Sequence, residues 1–445
     1  MKKKLIHLIL LFPMFFGCES STMPPASLPF TISAEKVSCK DAWLKISLCN
    51  VSLPKLLFMR SSDSDGYNVH HISTKDTMFH FKGLIPGKEY TYWFYVSDNQ
   101  ALSKDDLKNT SNILTIRTLD TTSYYFTWKV DSIGTTQSLL NGIWGSSSND
   151  VWAVGRFYNG HYPTSYIAHY NGYGWTQNYS PLFTTGIQGG NLNGIYGLSK
   201  DKMWVVGEGL STIPLEKRDT TWAFAAYWNK DKWVDISPKF FNVRLWAVWA
   251  YDEYNVWAVD LSGSILYYDG KNWTEQYNNP GYMLYDIHGT DPKHLYAAGA
   301  DNSYSRGILL KFNGTGWQRV PTSFYDAHGP FHSVWVESEK TVWVAGIGMI
   351  LHGDGADSDD WEAQWVNYGL RKIRGLSGND ILTGGYNGAI GHFNGNTLKI
   401  NMDIYADQQE FYVNDILAFK DKVFFAGQGG TGFINRKGVV FIGTR

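Results

Sequence analysis

The 445-residue sequence predicts an all-β chain, on three observations. Aromatic residues make up 16% of it and glycines number 45, which favours short aromatic strands joined by tight turns over helices. The first quarter is a series of short runs with apolar and polar residues in alternation. From Tyr124 onward one strand pattern recurs with a period of about 40 to 53 residues. The length calls for more than one domain, and a 43% hydrophobic share against 18% charged allows a large core. The formal net charge is −2, and Lys and Arg form no block beyond the first few residues, so a nucleic-acid footprint is missing.

The chain opens Met1-Lys2-Lys3-Lys4, continues apolar from Leu5 to Phe16, and reaches Gly17-Cys18. A basic start followed by so short an apolar run is an export signal rather than a membrane span. The ending Phe15-Phe16-Gly17-Cys18 resembles a bacterial lipobox, with Phe15 where that motif usually carries Leu. The resemblance implies a signal peptide over 1–17 and a lipid-modified Cys18 as mature N-terminus. It also implies a membrane anchor and a place in the bacterial cell envelope, at the outer membrane. The polar, Pro-containing residues 18–27 suit a tether. The remaining cysteines, Cys39 and Cys49, flank one expected strand, Trp43 to Leu48. Ten extended residues span on the order of 30 Å, beyond the reach of a disulfide, so both are expected as reduced thiols.

Residues 28–120 are expected to form an antiparallel sandwich. Leu44, Ile46 and Leu48 fall on one strand face, with Lys45 and Ser47 on the other. Further strands are expected at Lys55–Arg60, Met78–Phe81, Glu89–Val96 and Asn112–Thr118. The stretch Leu84-Ile85-Pro86-Gly87-Lys88-Glu89-Tyr90 resembles the L-x-P-G-x-x-Y segment of fibronectin type III domains. That resemblance implies a tyrosine corner at Tyr90 and a spacer role. Leu48 stands where the family usually has a core Trp. The loop Asp63–Gly66 has calcium-like residues but no downstream bidentate carboxylate, so a solvated turn is expected.

Residues 124–445 repeat one unit. Its clearest copy runs Leu140-Asn141-Gly142-Ile143-Trp144-Gly145, then Asn149-Asp150-Val151-Trp152-Ala153-Val154-Gly155, then Ile167-Ala168-His169-Tyr170-Asn171-Gly172 and Trp175. The Asn-Gly or Asp-Gly pair is a hairpin signal leading to a fourth strand headed by Trp175, Trp233, Trp273 or Trp317. Four strands per period, apolar on both faces, predict a β-propeller of seven blades. The pattern resembles uncharacterised secreted bacterial propeller repeats, and lacks the marks of WD, kelch and sialidase repeats. Phe126–Val130 is expected to complete the last blade, whose first three strands are expected within Asp415–Ile434. Val439–Ile442 is its rival for the slot.

The repeat carries little obvious chemistry. His169, His352 and His392 occupy one outer position in three blades, too far apart to share an ion, and read as packing or surface residues. Trp152, Trp204, Trp257 and Trp343 read as core between blades. The acidic run from Asp354 to Asp360 matches no calcium-loop spacing and reads as a solvated turn, with calcium the lesser reading. The informative column lies two residues before the aliphatic anchor of each innermost strand: Asn141, Asn193, Trp246, Tyr285, His332, Arg371 and Asn414. The residue before it is apolar in every copy, yet the column varies, as an asymmetric ligand site at the channel mouth requires.

These features point to a monomeric, membrane-anchored binding protein for a glycan, peptide or envelope protein, needing no cofactor or metal and not acting as an enzyme. The alternatives are a polysaccharide lyase or glycoside hydrolase on a propeller scaffold, and an envelope assembly scaffold. A hydrolase would need paired carboxylates at the mouth. The column has none, and only Asp286 and Asp415 adjoin it.

Overall fold

The computed structural model describes residues 30–49, 51–108, 110–158, 163–178, 187–211, 221–239, 243–322, 328–353, 361–401, 410–430 and 435–445. The signal peptide, Cys18, the tether and the acidic run Asp354–Asp360 lie outside the described residues. The chain divides into two compact units. One comprises the strand ending at Val37 with Asp41–Leu84 and Lys88–Thr118; the other comprises Leu119–Arg445 with the short pieces Ser38–Lys40 and Ile85–Gly87.

The first unit has two antiparallel sheets. Phe30–Val37, Ala42–Leu48 and Asp76–Phe81 form one, in that order; Asn68–Ile72, Lys55–Ser61, Glu89–Ser97 and Leu114–Arg117 form the other. Alternation buries Leu44, Ile46 and Leu48 against Leu57, Met59, Tyr92 and Phe94 of the facing sheet. Tyr90 is buried in the same core. The Asn112 side chain joins the sheets by mimicking a peptide group: its Oδ1 accepts from Ile32 N at 2.8 Å and its Nδ2 donates to Ile32 O at 2.9 Å. Phe30–Val37 and Asn68–Ile72 are strands that the sequence reading passed over, since half their residues face solvent or are polar. Asp63 is engaged by Lys88 at 2.6 Å.

The second unit is built of antiparallel meanders. Leu139–Ser147, Asp150–Tyr158, Pro163–Tyr170 and Trp175–Asn178 make the first four-stranded sheet. The next three begin at Ile187–Ser199, Leu245–Asp252 and Tyr282–Asp291. A six-stranded sheet follows, from Phe331–Ser338 to Leu398–Asn401, with the long strand Glu362–Ser377 in its middle. The last sheet orders Glu410–Ala418, Lys422–Gly430, Lys437–Thr444 and Thr127–Ile133. The expected hairpins are present: Gly172, Gly270, Gly314 and Gly395 all have φ near +90°. At each, the preceding Asn or Asp side chain accepts two backbone N–H groups, as Asn171 does from Tyr173 and Gly174.

The last sheet takes the N-terminal strand as its fourth, the place expected for Phe126–Val130, and corrects the expected third strand. Lys437–Thr444 is its third strand and Thr127–Ile133 its fourth, paired from Gly438↔Ile133 to Thr444↔Thr127. The two segments read as rivals occupy adjacent places. The third strand therefore lies beyond Ile434, where Val439–Ile442 was expected only as a rival for the fourth place.

Innermost strands pack side by side in a closed circuit. It runs from Leu139–Ser147 through Ile187–Ser199, Leu245–Asp252, Tyr282–Asp291, Phe331–Ser338 and Glu362–Ser377 to Glu410–Ala418, which returns to Leu139–Ser147. Each core cluster draws on two successive sheets. Trp152 and Val154 meet Leu192, Val205 and Phe224 in one; Leu140 and Val151 meet Phe424 and Val440 in the cluster that closes the circuit.

Cys39 is buried and Cys49 half-buried, both as thiols, and the strand Ala42–Leu48 separates them. In denatured, unreduced protein both should therefore alkylate. A disulfide-linked peptide containing the two would contradict this strand.

Candidate functional site

In every innermost strand the ladder to the second strand slips by one residue. Leu140 and Gly142 pair with Gly155 and Val154, leaving Asn141 without a partner in register. The same slip leaves out Asn193, Trp246, Tyr285, His332, Arg371 and Asn414. The varying column is thus a column of β-bulges, which re-aim a side chain that regular pleating would send elsewhere. The bulge also explains the glycine that stands opposite it in the second strand in most copies. A Cβ on Gly155, Gly207, Gly299, Gly346, Gly385 or Gly427 would run into the carbonyl of the residue two before the bulge.

All seven bulge residues line one cavity of about 380 Å³ along the channel. Four of them reach sideways to the next innermost strand. Asn414 Nδ2 donates to Leu140 O at 2.7 Å, Asn141 Nδ2 to Leu192 O at 2.9 Å, and Asn193 Nδ2 to Leu245 O at 3.0 Å. His332 Nδ1 bonds Leu370 O at 2.9 Å. In each case the acceptor precedes the neighbouring bulge, so these four are clasps between strands. Burial, with Arg371 alongside and against the pull of the Leu370 carbonyl, lowers the His332 imidazole to about 4 and keeps it neutral.

Trp246, Tyr285 and Arg371 form no such clasp among the described residues. Tyr285 packs between Tyr304 and His332, with ring centroids at 6.2 and 5.5 Å. Burial, and then its hydrogen bond with Tyr304, pushes its hydroxyl far up and keeps it protonated. Arg371 lies over the Tyr386 ring at 5.4 Å. Tyr304 and Tyr386 come from turns that end the second strands, outside the repeat positions that mark the channel.

Below the bulges lies a buried charge network. Asp286, 1% exposed, is held bidentately by Arg374 at 2.9 and 2.9 Å, by Lys372 at 3.0 Å and by Ser333 Oγ at 2.5 Å. Burial alone would raise this carboxyl, but the charges of Arg374 and Lys372 outweigh it and hold it well below the carboxylate range. Lys372 also reaches Asp415 at 3.3 Å, and Asp415 accepts from Ile143 N at 2.9 Å. The network runs across five consecutive innermost strands. His288 lies beside it, accepting from Val336 N at 3.1 Å; burial, and then Arg374, lowers its imidazole to about 3. Lys372 and Arg374 were not singled out from sequence. The available signal was a cation in columns whose other copies read Gly, Ala, Ser or Asp for Lys372 and Trp, Tyr, His or Leu for Arg374.

The histidines of the third strands pack. His169 stacks on Trp152 at 4.2 Å and bonds Asp150; His352 stacks on Trp343 at 4.5 Å; His392 bonds Asp380 at 3.0 Å. Trp152, Trp204, Trp257 and Trp343 are all buried between sheets. Among the described residues one group, Asp291, His294 and Glu339, brings three ligand types together. It is partly exposed, and His294 is already paired with Asp291 at 2.7 Å.

No family model matches the chain, and no curated protein matches it. Among solved structures it is similar to YCF48 bound to D1 peptide, at 16% identity over 73% of this chain and 99% of that one, with a TM-score of 0.53. It is also similar to YCF48 from Cyanidioschyzon merolae, at 14% identity over 71% and 98%, with a TM-score of 0.49. BamB from Moraxella catarrhalis gives 10% identity over 72% and 98%, with a TM-score of 0.42. The first likeness is one of fold, and it makes this a β-propeller chain.

Two depressed imidazoles make stability fall in mild acid. Below pH 6.5 the unfolded chain protonates His288 and His332 while the folded chain does not, until about pH 3 and 4. Each should cost about 2 kcal/mol by pH 5. Asp286 acts in the same direction only lower, since its stabilising charge is lost as pH falls below the ordinary carboxylate range. Melting temperature should drop between pH 7.5 and 5, and drop less in His288→Leu. A flat profile over that range would contradict the assignment.

Proposed function

We propose that this chain is an exported lipoprotein, anchored through Cys18 at the bacterial outer membrane, whose propeller binds a peptide or partner protein at its channel mouth. The first unit acts as a fibronectin type III-like spacer; its three-plus-four strand order and buried Tyr90 support that reading. The six-stranded sheet is taken as two blades sharing the through-running strand Glu362–Ser377, for a seven-bladed ring.

The observation that carries the function is the division of labour in the bulge column. Four members clasp neighbouring strands, while Trp246, Tyr285 and Arg371 face the cavity with none of those duties. Trp, Tyr and Arg are also the residue types that dominate binding hot spots. A peptide in the similar YCF48 structure supports a peptide as the ligand class. An enzyme is disfavoured because Asp286 and Asp415, the carboxylates nearest the mouth, are committed to Lys372 and Arg374. A carboxylate held in an ion pair is a poor proton donor.

Metabolic labelling with a clickable fatty acid should mark the wild type and not Cys18→Ala; equal labelling would end the lipoprotein reading. Trp246→Ala and Arg371→Ala should keep the wild-type melting temperature. Both should lose, by about 2 kcal/mol or more, whatever ligand an array of envelope proteins, peptides and glycans reveals. A ligand that survives both changes would place the site elsewhere.

A further inference from the structure

The charges lining the channel leave one group unanswered. Asp286 and Asp415 balance Lys372 and Arg374 within hydrogen-bonded pairs, which leaves Arg371 as the third cation of the lining. Among the described residues Arg371 meets no carboxylate; its guanidinium rests on the Tyr386 face. That ring sits where it does because residue 369 is a glycine, whose missing Cβ would press on Tyr386 Cδ2. His332 is beside Arg371 and neutral, so the mouth offers a single positive charge.

On the innermost strands that follow Arg371 in the circuit, Glu410–Ala418 and then Leu139–Ser147, the clasps set the opposite polarity. Asn141 and Asn414 spend their Nδ2 groups on Leu192 O and Leu140 O. Both residues line the cavity, and their Oδ1 atoms meet no donor among the described residues, so these positions are left to accept hydrogen bonds. Acceptors beside a planar guanidinium fork select a ligand that carries donors next to two coplanar oxygens. One cation in a partly buried site suits a monovalent anion better than a phosphate dianion.

We infer that Arg371 is the carboxylate seat of the channel mouth, taking a side-chain or C-terminal carboxylate of the bound peptide while peptide N–H groups face Asn141 and Asn414. This deepens the peptide-binding reading above and rests on it.

The test uses the full mature chain on an array of 12-residue peptides, each synthesised in three forms. One has a free C-terminus, one a C-terminal amide, and one a C-terminal amide with every Asp and Glu changed to Asn and Gln. Sequences that bind should lose about tenfold or more in the third form. Retention in the second form identifies a side-chain source, and loss there a C-terminal one. Arg371→Gln should lose the same factor, and Arg371→Lys part of it, because an ammonium keeps the charge without the fork. Binding that is equal in all three forms sinks the carboxylate seat while leaving peptide binding intact. No binding in any form, or Arg371-dependent binding of oligouronides alone, overturns both. The comparison of forms needs only the wild type, so it decides the matter even if a variant misfolds.

Discussion

A strand pair that is apolar on both faces cannot be left with either face in water, and this constraint organises the propeller. Within the second strand Val151, Trp152, Ala153 and Val154 are all buried, although consecutive residues point to opposite sides of the sheet. Val151 and Ala153 pack toward Phe424 and Val440, whereas Trp152 and Val154 pack toward Leu192 and Phe224. A sheet so built needs a neighbour on each side, and so does each neighbour. Only a closed circuit satisfies all of them at once. Pairing Thr127–Ile133 onto Lys437–Thr444 then brings the start of this unit and its end into one sheet.

Closure creates a second problem at the narrow centre, and the bulge answers it. Innermost strands approach one another most closely, so their exposed carbonyls need partners that the ladders within each sheet do not supply. A bulge at one fixed place turns a side chain sideways, and where that side chain is Asn or His it satisfies the carbonyl before the next bulge. The cost falls on the second strand, where the displaced carbonyl leaves no room for a Cβ and glycine becomes the rule. That glycine is therefore the trace of the bulge, written on the neighbouring strand. The third sheet has Asp260 at that place instead, its Oδ1 accepting from Ser262 N and Ser264 N.

What could be read from the sequence follows from how local each feature is. The hairpins were legible because Asn171-Gly172 and its equivalents contain both the left-handed glycine and the side chain that caps the turn. The column at Asn141 was legible because it varies while the residue before it stays apolar. Its split into clasps and open positions was not, since an Asn donating to a carbonyl some fifty residues away looks like any other Asn. The closing strands were hard for the same reason. Phe126–Val130 and Val439–Ile442 carry equal strand character, and only their pairing shows that both are used. The charge network stayed hidden because Asp286 and Arg374 lie 88 residues apart and join only when the circuit has formed.

That network also bears on why the mouth can hold an unpaired cation. Isolated charges under a low-dielectric wall are costly, and one extra positive charge beside buried Lys372 and Arg374 would be costlier still. Asp286 and Asp415 remove that repulsion by tying both cations into hydrogen-bonded pairs, each carboxylate also receiving a backbone N–H. Arg371 is then left with a tyrosine face, which stabilises a guanidinium without neutralising it. His332, held neutral by burial and bonded to Leu370, adds no second charge. Scaffold and candidate site are therefore separated by depth: the lower layer joins the strands with balanced charge, and the bulge layer above it keeps one cation without a carboxylate among the described residues.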